Sequence, residues 1–307
     1  MDWRIKGVVQ KALSVVPFGV PANDLIRHLV GGRRRLDREI ATKIEADWLV
    51  FVNHMKILGV PIAGRDFLEI GTGWYPTLPV CHALAGAGRC HTFDLSRHLD
   101  GRMTIRLVRA LEAHLPAIAN ASGRHLADVA TEHRELANAA GVDDILARAR
   151  IVYHAPADAS GTGLASGSID VVYSNSVLEH VPAGAITRIM TESHRVLRPG
   201  GVAIHSVNCG DHYAYFDRSI TQVNYLTYPE RQWVAWNNDI QYQNRLRARD
   251  FLALAEGAGF EIVLEEHHAK AHLLEQVARM RIAPEFRHYP PEQLACTSID
   301  FAARKRA

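Results

Sequence analysis

The sequence has few cysteines, little net charge and no long apolar run, and each shortage excludes a class of protein. Its four cysteines contain no C-x-x-C pair and no metal-ligand spacing, so we expect reduced thiols, no disulfide framework and no metal site. No stretch approaches the roughly 20 apolar residues that a membrane span needs, and no signal peptide is visible. We therefore expect a cytoplasmic protein.

The net charge is only +2 over 307 residues, which gives no whole-protein field to attract nucleic acid or an anionic membrane. Nearly half of the residues (48%) are apolar. That is enough to bury a substantial core as one large domain with extensions. The composition is typical of a globular enzyme, and we expect no nucleic-acid partner.

A glycine-rich turn follows an apolar run that ends on an acid, in the string F-L-E-I-G-T-G-W-Y-P at residues 67–76. Gly71 and Gly73 let backbone N–H groups approach a ligand closely. A dinucleotide site needs G-x-G-x-x-G with a pyrophosphate at the helix N-terminus, but Pro76 occupies the third glycine position. The carboxylate of Glu69 would repel a pyrophosphate, whereas it suits an ammonium or sulfonium group.

Two further short strands follow this turn, and acids stand at or just beyond their ends. Residues 90–95 reach Asp94, about 20 residues past the glycines, where an acid binds ribose hydroxyls in nucleotide-binding α/β folds. Residues 151–154 form another strand that leads to Asp158. Both acids are expected at the ligand-binding edge of a parallel sheet.

A fourth and a fifth strand flank a helix with apolar residues at helical spacing. The fourth, residues 169–173, opens into Ser174 and Asn175. The helix stops at the P-G-G of residues 199–201, and residues 202–207 make the fifth strand.

The order and spacing of these elements are similar to those of the class I S-adenosylmethionine (SAM)-dependent methyltransferases. The turn at residues 67–76 resembles their first motif, and the string H-R-V-L-R-P-G-G at residues 194–201 resembles the signature before their fifth strand. A helix, an A-G-F turn and a strand up to residue 264 resemble their closing hairpin. The resemblance implies an α/β fold with a Rossmann-like, seven-stranded, mostly parallel sheet, an antiparallel last strand, and helices on both faces.

The resemblance also implies SAM as the cofactor and S-adenosylhomocysteine as its product. It assigns the adenine amino group to Asp158, the cofactor pocket wall to His180 in the string L-E-H-V, and the acceptor or the methionine end to Asn175. The cofactor-binding residues that it implies are Glu69, Gly71, Thr72, Gly73, Tyr75, Pro76, Asp94, Leu95, Asp158, Ala159, Ser174, Asn175 and His180.

The chain divides into a helical N-terminal extension (residues 1–65), a SAM-binding domain (66–265) and a charged tail with a flexible end (266–307). Within the domain, residues 96–150 are too long for an ordinary connection and have helical periodicity. This helical insertion is interpreted as a substrate cover, or else as an outer scaffold or dimer contact. The polar, aromatic-rich segment 208–245 is predicted to line the acceptor pocket.

The N-terminal extension contains two predicted helices. The first, around Val8 to Val16, is amphipathic, so it could pack over the mouth of the active site or lie on a membrane surface. The second runs from Ile40 to Met55. Between them, Arg33-Arg34-Arg35 is interpreted as a solvated turn, with a substrate phosphate site as the alternative.

A weakly acidic acceptor such as a sugar hydroxyl needs a base in addition to positioning. His212, oriented by its neighbour Asp211, is one candidate, and His205 within the fifth strand is another, because imidazole has a suitable unperturbed pKa. Transfer without any side-chain base is the remaining alternative.

The predicted acceptor is an oxygen or nitrogen of a small molecule or glycan-type metabolite. The N-P-P-Y/F string of amide and adenine N-methyltransferases is absent, since Asn175 is followed by Ser176 and Val177, which argues against a nucleic-acid amino group. Two other functions stay open on the sequence: a non-catalytic SAM-binding partner subunit and an NAD-dependent dehydrogenase. A homodimer is also open.

Overall fold

A seven-stranded sheet forms the centre of the protein, in a computed structural model that describes residues 2–14 and 33–306. The strand order is β3-β2-β1-β4-β5-β7-β6, and only β7 runs antiparallel to its neighbours. This confirms the predicted methyltransferase sheet. The strands are β1 Phe67–Ile70, β2 Cys90–Phe93, β3 Ile151–His154, β4 Ile169–Asn175, β5 Leu197–Asn208, β6 Phe260–Glu266 and β7 Ser298–Lys305.

Helices precede the sheet and fill its connections. The α-helices are α1 Trp3–Ser14, α2 Arg33–Thr42, α3 Leu49–Ile57, α4 Thr77–Leu84, α5 Gly101–Ala110, α6 Leu115–Ser122, α7 Leu126–Ala137, α8 Val142–Arg148, α9 Ala183–Val196, α10 Glu230–Trp236, α11 Ala248–Gly257, α12 Ala271–Arg279 and α13 Pro291–Leu294. A π-helical segment, Lys43–Trp48, joins α2 to α3. Short 3-10 turns occupy Leu111–His114, Leu178–His180, His212–Tyr215, Asn224–Thr227 and Pro284–Phe286.

Both faces of the sheet are buried by helices. Successive residues of a strand point to opposite faces, so each strand contributes side chains to both cores. Phe67 of β1 belongs to a core with α3, α4 and the insertion helices, while its neighbour Leu68 belongs to a second core with α9 and α11. Burial on both faces explains why the parallel strands are short continuous apolar runs in the sequence.

The described N-terminal residues are helical, with one difference from the expectation. Arg33 to Arg35 form the first turn of α2 and not a solvated turn, consistent with the good helix propensity of arginine. Val15 and Val16, assigned to the first amphipathic segment, lie outside the described residues. Helix α1 packs against α10. Within the described part of the chain, none of the helices has the length and apolar character needed to cross a membrane.

Residues 96–150 contain four α-helices, α5 to α8, and these helices pack as a scaffold. Its helices α5 to α8 contact α2, α3 and α4 from outside. Leu107, Leu111 and Ile118 are fully buried in the core that also holds Phe67 of β1. These contacts favour the scaffold interpretation over a substrate cover.

The prediction that the charged tail ends in a flexible segment at residues 304–306 is wrong for Arg304 and Lys305, which belong to a strand. Residues 298–305 form β7, which lies between β5 and β6, and Phe301 and Ala302 are fully buried. The basic end is held because Arg304 donates to the Leu58 carbonyl at 2.9 Å and Lys305 to the Leu197 carbonyl at 2.8 Å. These charges lie at the end of a strand and reach backbone carbonyls of neighbouring elements.

Candidate active site at the carboxyl ends of the strands

A buried acid and two threonines lie where β1 and β2 end. Glu69 is 6% exposed and accepts a hydrogen bond from the Thr92 hydroxyl at 2.7 Å. Thr92 is also hydrogen-bonded to Thr72. Burial raises the pKa of the Glu69 carboxyl to about 7, while the Thr92 hydroxyl and Lys43 lower it. A cationic group bound here would favour the ionised carboxylate.

The glycine turn and Asp94 form the rim of this site. Gly71 and Gly73 have φ of +84° and +66°, a region that glycine adopts without a steric penalty. The Gly73 N–H donates to Asp94 Oδ2 at 3.0 Å, and the Ser96 N–H donates to Oδ1 at 3.2 Å. A carboxylate keeps acceptor capacity after two such bonds, so Asp94 can also accept ligand hydroxyls. We call the group of Glu69, Thr72, Gly71, Gly73, Thr92 and Asp94 the cofactor side.

The other predicted cofactor residues differ in exposure. Tyr75 and Pro76 are buried at the start of α4. Leu95 is 70% exposed. Asp158 is exposed, and its carboxylate accepts a backbone N–H of its own loop at 2.8 Å, while Ala159 next to it is buried. All of these residues follow the carboxyl ends of β1, β2 and β3, as expected for one ligand edge.

The π-helical segment holds two charged residues over the cofactor side. Lys43 Nζ lies 4.8 Å from the centre of the Tyr75 ring, and Asp47 Oδ2 accepts from the Asn175 amide at 2.9 Å. Burial raises the pKa of Asp47, and the Asn175 amide lowers it. Turns of π-helix are frequent at functional sites. The sequence reasoning missed Lys43 and Asp47, because the helical pattern of this region reveals only its apolar face.

Ser174 and His205 form a buried pair across β4 and β5. The serine hydroxyl and His205 Nδ1 are 2.8 Å apart, and the histidine has no exposed surface. Its ring lies 5.2 Å from that of Phe301. Burial lowers the pKa of His205 to about 3, so this imidazole is neutral.

Three side chains able to bind metal ions meet beyond β4 and β5: Glu179, His180 and His212. Their ligand atoms all lie within 4.8 Å of one another. Glu179 is 1% exposed, and burial raises its pKa to about 8, while hydrogen bonds from the backbone N–H groups of Glu179 and Asn208 lower it. His212 Nε2 is buried and makes no hydrogen bond. Burial, assisted by His180 and Lys6, lowers the pKa of His212 to about 4. We call these three residues the acceptor side.

A three-residue segment before α11 holds the acceptor side in place. The carbonyl of Tyr242 accepts a hydrogen bond from His180 Nδ1 at 2.7 Å. Gln243 Oε1 accepts the backbone N–H of His212 at 3.1 Å. The Asn244 amide donates to two carbonyls of the loop after β4, at 2.7 and 2.8 Å. One segment therefore fixes both loops that carry the acceptor side.

Asp211 does not orient the imidazole of His212, contrary to the prediction. Its Oδ1 accepts the Tyr213 N–H at 2.9 Å, and its Oδ2 accepts from the Asn224 amide at 3.3 Å. An aspartate at the start of a short helical turn caps the N–H two residues further on, because that donor is the nearest one. Asp211 therefore stabilises the loop that carries His212.

Most of the aromatic-rich segment 208–245 forms a core, which corrects the expectation that it lines an open pocket. Tyr213, Tyr225 and Trp233 are each less than 5% exposed, and they pack with Trp3 of α1. Aromatic side chains have a large apolar area to bury, and here α1 and α12 supply the opposing surface.

Tyr215 lies near His212 and, unlike Tyr213, it is exposed. It is 60% exposed, its ring centre lies 5.7 Å from that of His212, and its hydroxyl accepts from the Asn208 amide at 2.7 Å. Helix α1 covers the neighbouring surface, with Lys6 Nζ 5.1 Å from the Phe216 ring centre. The first helix thus packs beside the mouth of the acceptor side, as one of its two interpretations expected.

A small recess, with a cavity volume of about 30 Å³, lies between the N-terminal helices and the ends of β4, β5 and β7. Its polar lining includes Asp47, His54, Asn175, Ser206 and Asp300. Ligands of open α/β sheets bind outside the carboxyl ends of the strands, so the recess is in the expected position.

A family model described as a methyltransferase domain matches residues 41–265, well over half of the chain. The chain belongs to this family. It is a SAM-dependent methyltransferase, and the dehydrogenase interpretation is wrong. The antiparallel β7 between β5 and β6 agrees with this identification, since it is the feature expected to separate the two kinds of sheet.

Similar solved structures share little sequence with this methyltransferase. A SAM-dependent methyltransferase from Mesorhizobium loti is 15% identical, with 82% of this chain and 96% of that chain covered and a TM-score of 0.43. A geranyl diphosphate methyltransferase in complex with SAM is 12% identical, with 90% and 92% covered and a TM-score of 0.47. No curated protein sequence matches the chain.

The cofactor side fits SAM. At Gly71 a Cβ would lie 2.5 Å from Val177 Cγ2, so only glycine leaves this turn open. Asp94 would hold the ribose hydroxyls, and the buried carboxyl of Glu69 would favour the positively charged part of the cofactor. Thr72 is hydrogen-bonded to Thr92, and the Thr92 hydroxyl donates to Glu69, which fixes the orientation of the Glu69 carboxyl.

Proposed function

We propose that this methyltransferase acts on an oxygen or nitrogen of a small molecule or glycan-type metabolite. The observation that carries the proposal is the enclosure of the acceptor side by the chain itself. Helix α1 and residues 208–245 cover its surroundings, and small-molecule sites are enclosed by the chain in a similar way.

The residues of the site mainly hold the methyl donor and the acceptor in position and exclude water. SAM, when bound, provides a methyl group already activated by its positive sulfur. The hydrogen bond between Asp47 and Asn175 joins the N-terminal helices to the end of β4. This contact supports a closed site in which donor and acceptor are held in line, and such positioning contributes much of the rate in displacement reactions.

Of the two predicted bases, His212 has the better position. His205 has no exposed surface and is hydrogen-bonded to Ser174, so it orients that serine within the sheet. His212 lies beside exposed His180 and Tyr215. We therefore assign the handling of the acceptor proton to the acceptor side.

The test uses methyl-labelled SAM with separate pools of hydroxylated small molecules, sugars, amines, RNA, DNA and protein. We expect label in a small-molecule or sugar pool, with one S-adenosylhomocysteine formed per methyl group. Asp94→Ala should weaken SAM binding by about 1–3 kcal/mol, and Asp143→Ala, an exposed acid on α8, should not. Label found only in RNA, DNA or protein would refute the proposed acceptor class.

A further inference from the structure

Helix α1 has apolar residues on two opposite faces, of which one is buried and the other is exposed. The exposed face follows the helical spacing i, i+3, i+4 and i+7, and it consists of Ile5, Val8, Val9 and Ala12. The first three of these side chains are each more than half exposed. We call the four residues the apolar stripe. Because a surface helix normally turns its apolar residues to the core, the apolar stripe requires a separate explanation.

The opposite face of α1 fixes the helix to the rest of the protein. The ring centres of Trp3 and Tyr213 are 5.0 Å apart, and a Cβ at Gly7 would lie 3.2 Å from the Tyr213 hydroxyl oxygen. Near the other end of the helix, Lys11 Nζ donates to the Asn237 carbonyl at 3.1 Å. These contacts hold α1 close to the domain at both ends, so the apolar stripe is presented in a fixed direction.

The apolar stripe belongs to a larger exposed apolar area beside the acceptor side. Helix α1 contacts α10 and, through Lys6, the ring of Phe216. Among the described residues, six of the eleven large apolar side chains that are exposed lie on α1 or on these neighbouring segments: Ile5, Val8, Val9, Tyr215, Phe216 and Val234. Single exposed apolar side chains need no explanation, but their concentration in one area marks an interaction surface.

Basic residues border the apolar stripe on both sides. With about 3.6 residues per turn, Lys6 lies on one side of the stripe, and Arg4 and Lys11 lie on the other. Residues 3–14 contain no acid, and Asp2, which precedes them, pairs with Arg4 at 3.6 Å. Although the whole chain has a net charge of only +2, this helix therefore presents a local excess of positive charge.

An apolar stripe with basic side chains at its borders is complementary to an anionic lipid surface. Amphipathic helices that lie in the membrane interface bury the apolar face among the lipids and place lysine and arginine beside the phosphates. The exposed rings of Tyr215 and Phe216 add aromatic side chains, which favour the same interface. A symmetric contact between two copies of the chain would instead bring the same basic residues together, and like charges oppose such a contact.

We propose that the apolar stripe of α1 docks on the surface of an anionic lipid bilayer. The aliphatic side chains of the stripe enter the boundary between headgroups and acyl chains, and the three basic residues reach the lipid phosphates. Phe216 lies next to Lys6, and Tyr215 lies next to His212. Docking therefore places the mouth of the acceptor side beside the bilayer. Binding to lipid does not depend on which acceptor is methylated.

Co-sedimentation of the full chain with lipid vesicles, without SAM or acceptor, measures the docking. One kind of vesicle contains phosphatidylcholine alone, and the other contains phosphatidylcholine and phosphatidylglycerol in equal amounts. We expect at least about tenfold tighter binding to the anionic vesicles, because each basic residue near an anionic surface contributes about a factor of five. Added salt should weaken this binding, since it screens the attraction between exposed charges.

Two matched substitutions test whether the apolar stripe is responsible for the binding. Ile5→Asp and Ile57→Asp make the same change at side chains that are 55% and 59% exposed, but Ile57 lies on α3. Ile5→Asp should weaken binding to the anionic vesicles at least about tenfold, since burial of an isoleucine side chain is worth about that factor or more. Ile57→Asp adds the same negative charge away from the stripe, and it should bind as the native chain does.

Two further measurements distinguish loss of docking from loss of the fold. The melting temperature and the calorimetric affinity for S-adenosylhomocysteine should be the same in the native chain, Ile5→Asp and Ile57→Asp, because substitutions of exposed side chains have small effects on stability. Val8→Asp repeats the test at a second exposed position of the stripe. It should weaken binding to the anionic vesicles in the same direction as Ile5→Asp, and it keeps the test valid if either variant melts early.

Weaker binding to anionic vesicles in Ile5→Asp and Val8→Asp, but not in Ile57→Asp, supports the docking surface. Absence of vesicle binding by the native chain, or equal binding by the native chain and the two stripe variants, overturns it. Equal binding of the native chain to both kinds of vesicle overturns the role of the basic residues. A dimer that light scattering detects and Ile5→Asp dissociates, without vesicle binding, would show that the stripe is an interface between two copies, and it also overturns the lipid surface.

Discussion

The cofactor side and the acceptor side of this active site treat their buried polar groups differently. On the cofactor side, Glu69 has Thr92 as a partner and Asp94 has two backbone N–H groups. On the acceptor side, Glu179 is the more deeply buried acid, and only the backbone N–H groups of its own residue and of Asn208 hydrogen-bond its carboxyl. The acid of the cofactor side is therefore held by a side-chain hydroxyl, whereas the acid of the acceptor side is held by backbone groups.

The largest expected effect on ligand binding tests whether the cofactor side depends on space at its glycine turn. Gly71→Ala puts a Cβ 2.5 Å from Val177 Cγ2 at a φ of +84°, and we expect SAM affinity to fall at least about 100-fold, or some 2.7 kcal/mol. Calorimetric titration measures it. Gly64→Ala is the control, because its φ is +72° but nothing lies within 4 Å. Equal losses in both would show that backbone strain, and not the contact with Val177, matters.

The second prediction separates the core from the pocket within residues 208–245. Trp233→Ala should lower the free energy of unfolding by about 3–5 kcal/mol, because this side chain is 2% exposed. Tyr215→Phe should leave stability within about 0.5 kcal/mol and reduce kcat, since the 60% exposed ring adjoins His212. Denaturant unfolding and turnover measure the two. Unchanged turnover in Tyr215→Phe would show that the hydroxyl of Tyr215 has no role in the acceptor pocket.

The smallest effect extends the comparison to a buried imidazole that lies outside both sides of the site. His82 Nε2 has no hydrogen bond, but the ring stacks on Phe67 at 4.5 Å and accepts from Trp48. Burial lowers the pKa of His82 to about 3 from 6.5. Between these two pKa values, His82 binds a proton in the unfolded chain but not in the folded chain. The stability that is present above pH 6.5 is therefore lost as the pH falls toward 3.

This histidine should contribute a slope of about 1.4 kcal/mol per pH unit below pH 6. Urea unfolding of the native chain and of His82→Gln, between pH 4.5 and 7, measures the difference in slope. His205, with a similarly lowered pKa, adds its own slope to both proteins and cancels in the comparison. Parallel curves would show that His82 is protonated in the folded state.

Sequence reasoning found the strands whose ends carry chemistry. Glu69 and Asp94 stand at or near the ends of short apolar runs, so a local pattern marks both the element and the site. The sequence reasoning did not predict strand β7, because A-A-R-K at residues 302–305 resembles a charged end of the chain. Its burial depends on β5 and β6, which contribute the neighbouring edges, and no local pattern records that.

The acceptor side shows the same limit. Glu179 and His180 are neighbours in the sequence, but His212 joins them only because Gln243 and Asn244 connect the two loops. The predicted partnership of Asp211 with His212 failed since a nearer backbone N–H was available to the carboxylate. Spacing along a chain predicts contacts within one element, and contacts between loops depend on residues far from both.

The position of β7 also has a consequence for biosynthesis. This strand separates β5 from β6 in the sheet although it follows both in the chain. Until residues 298–305 have left the ribosome, β5 and β6 each retain an open edge, and open edges pair readily with other chains. The emergence of β7 therefore covers one edge of β5 and one of β6, and it shortens the period in which these strands can pair with other chains.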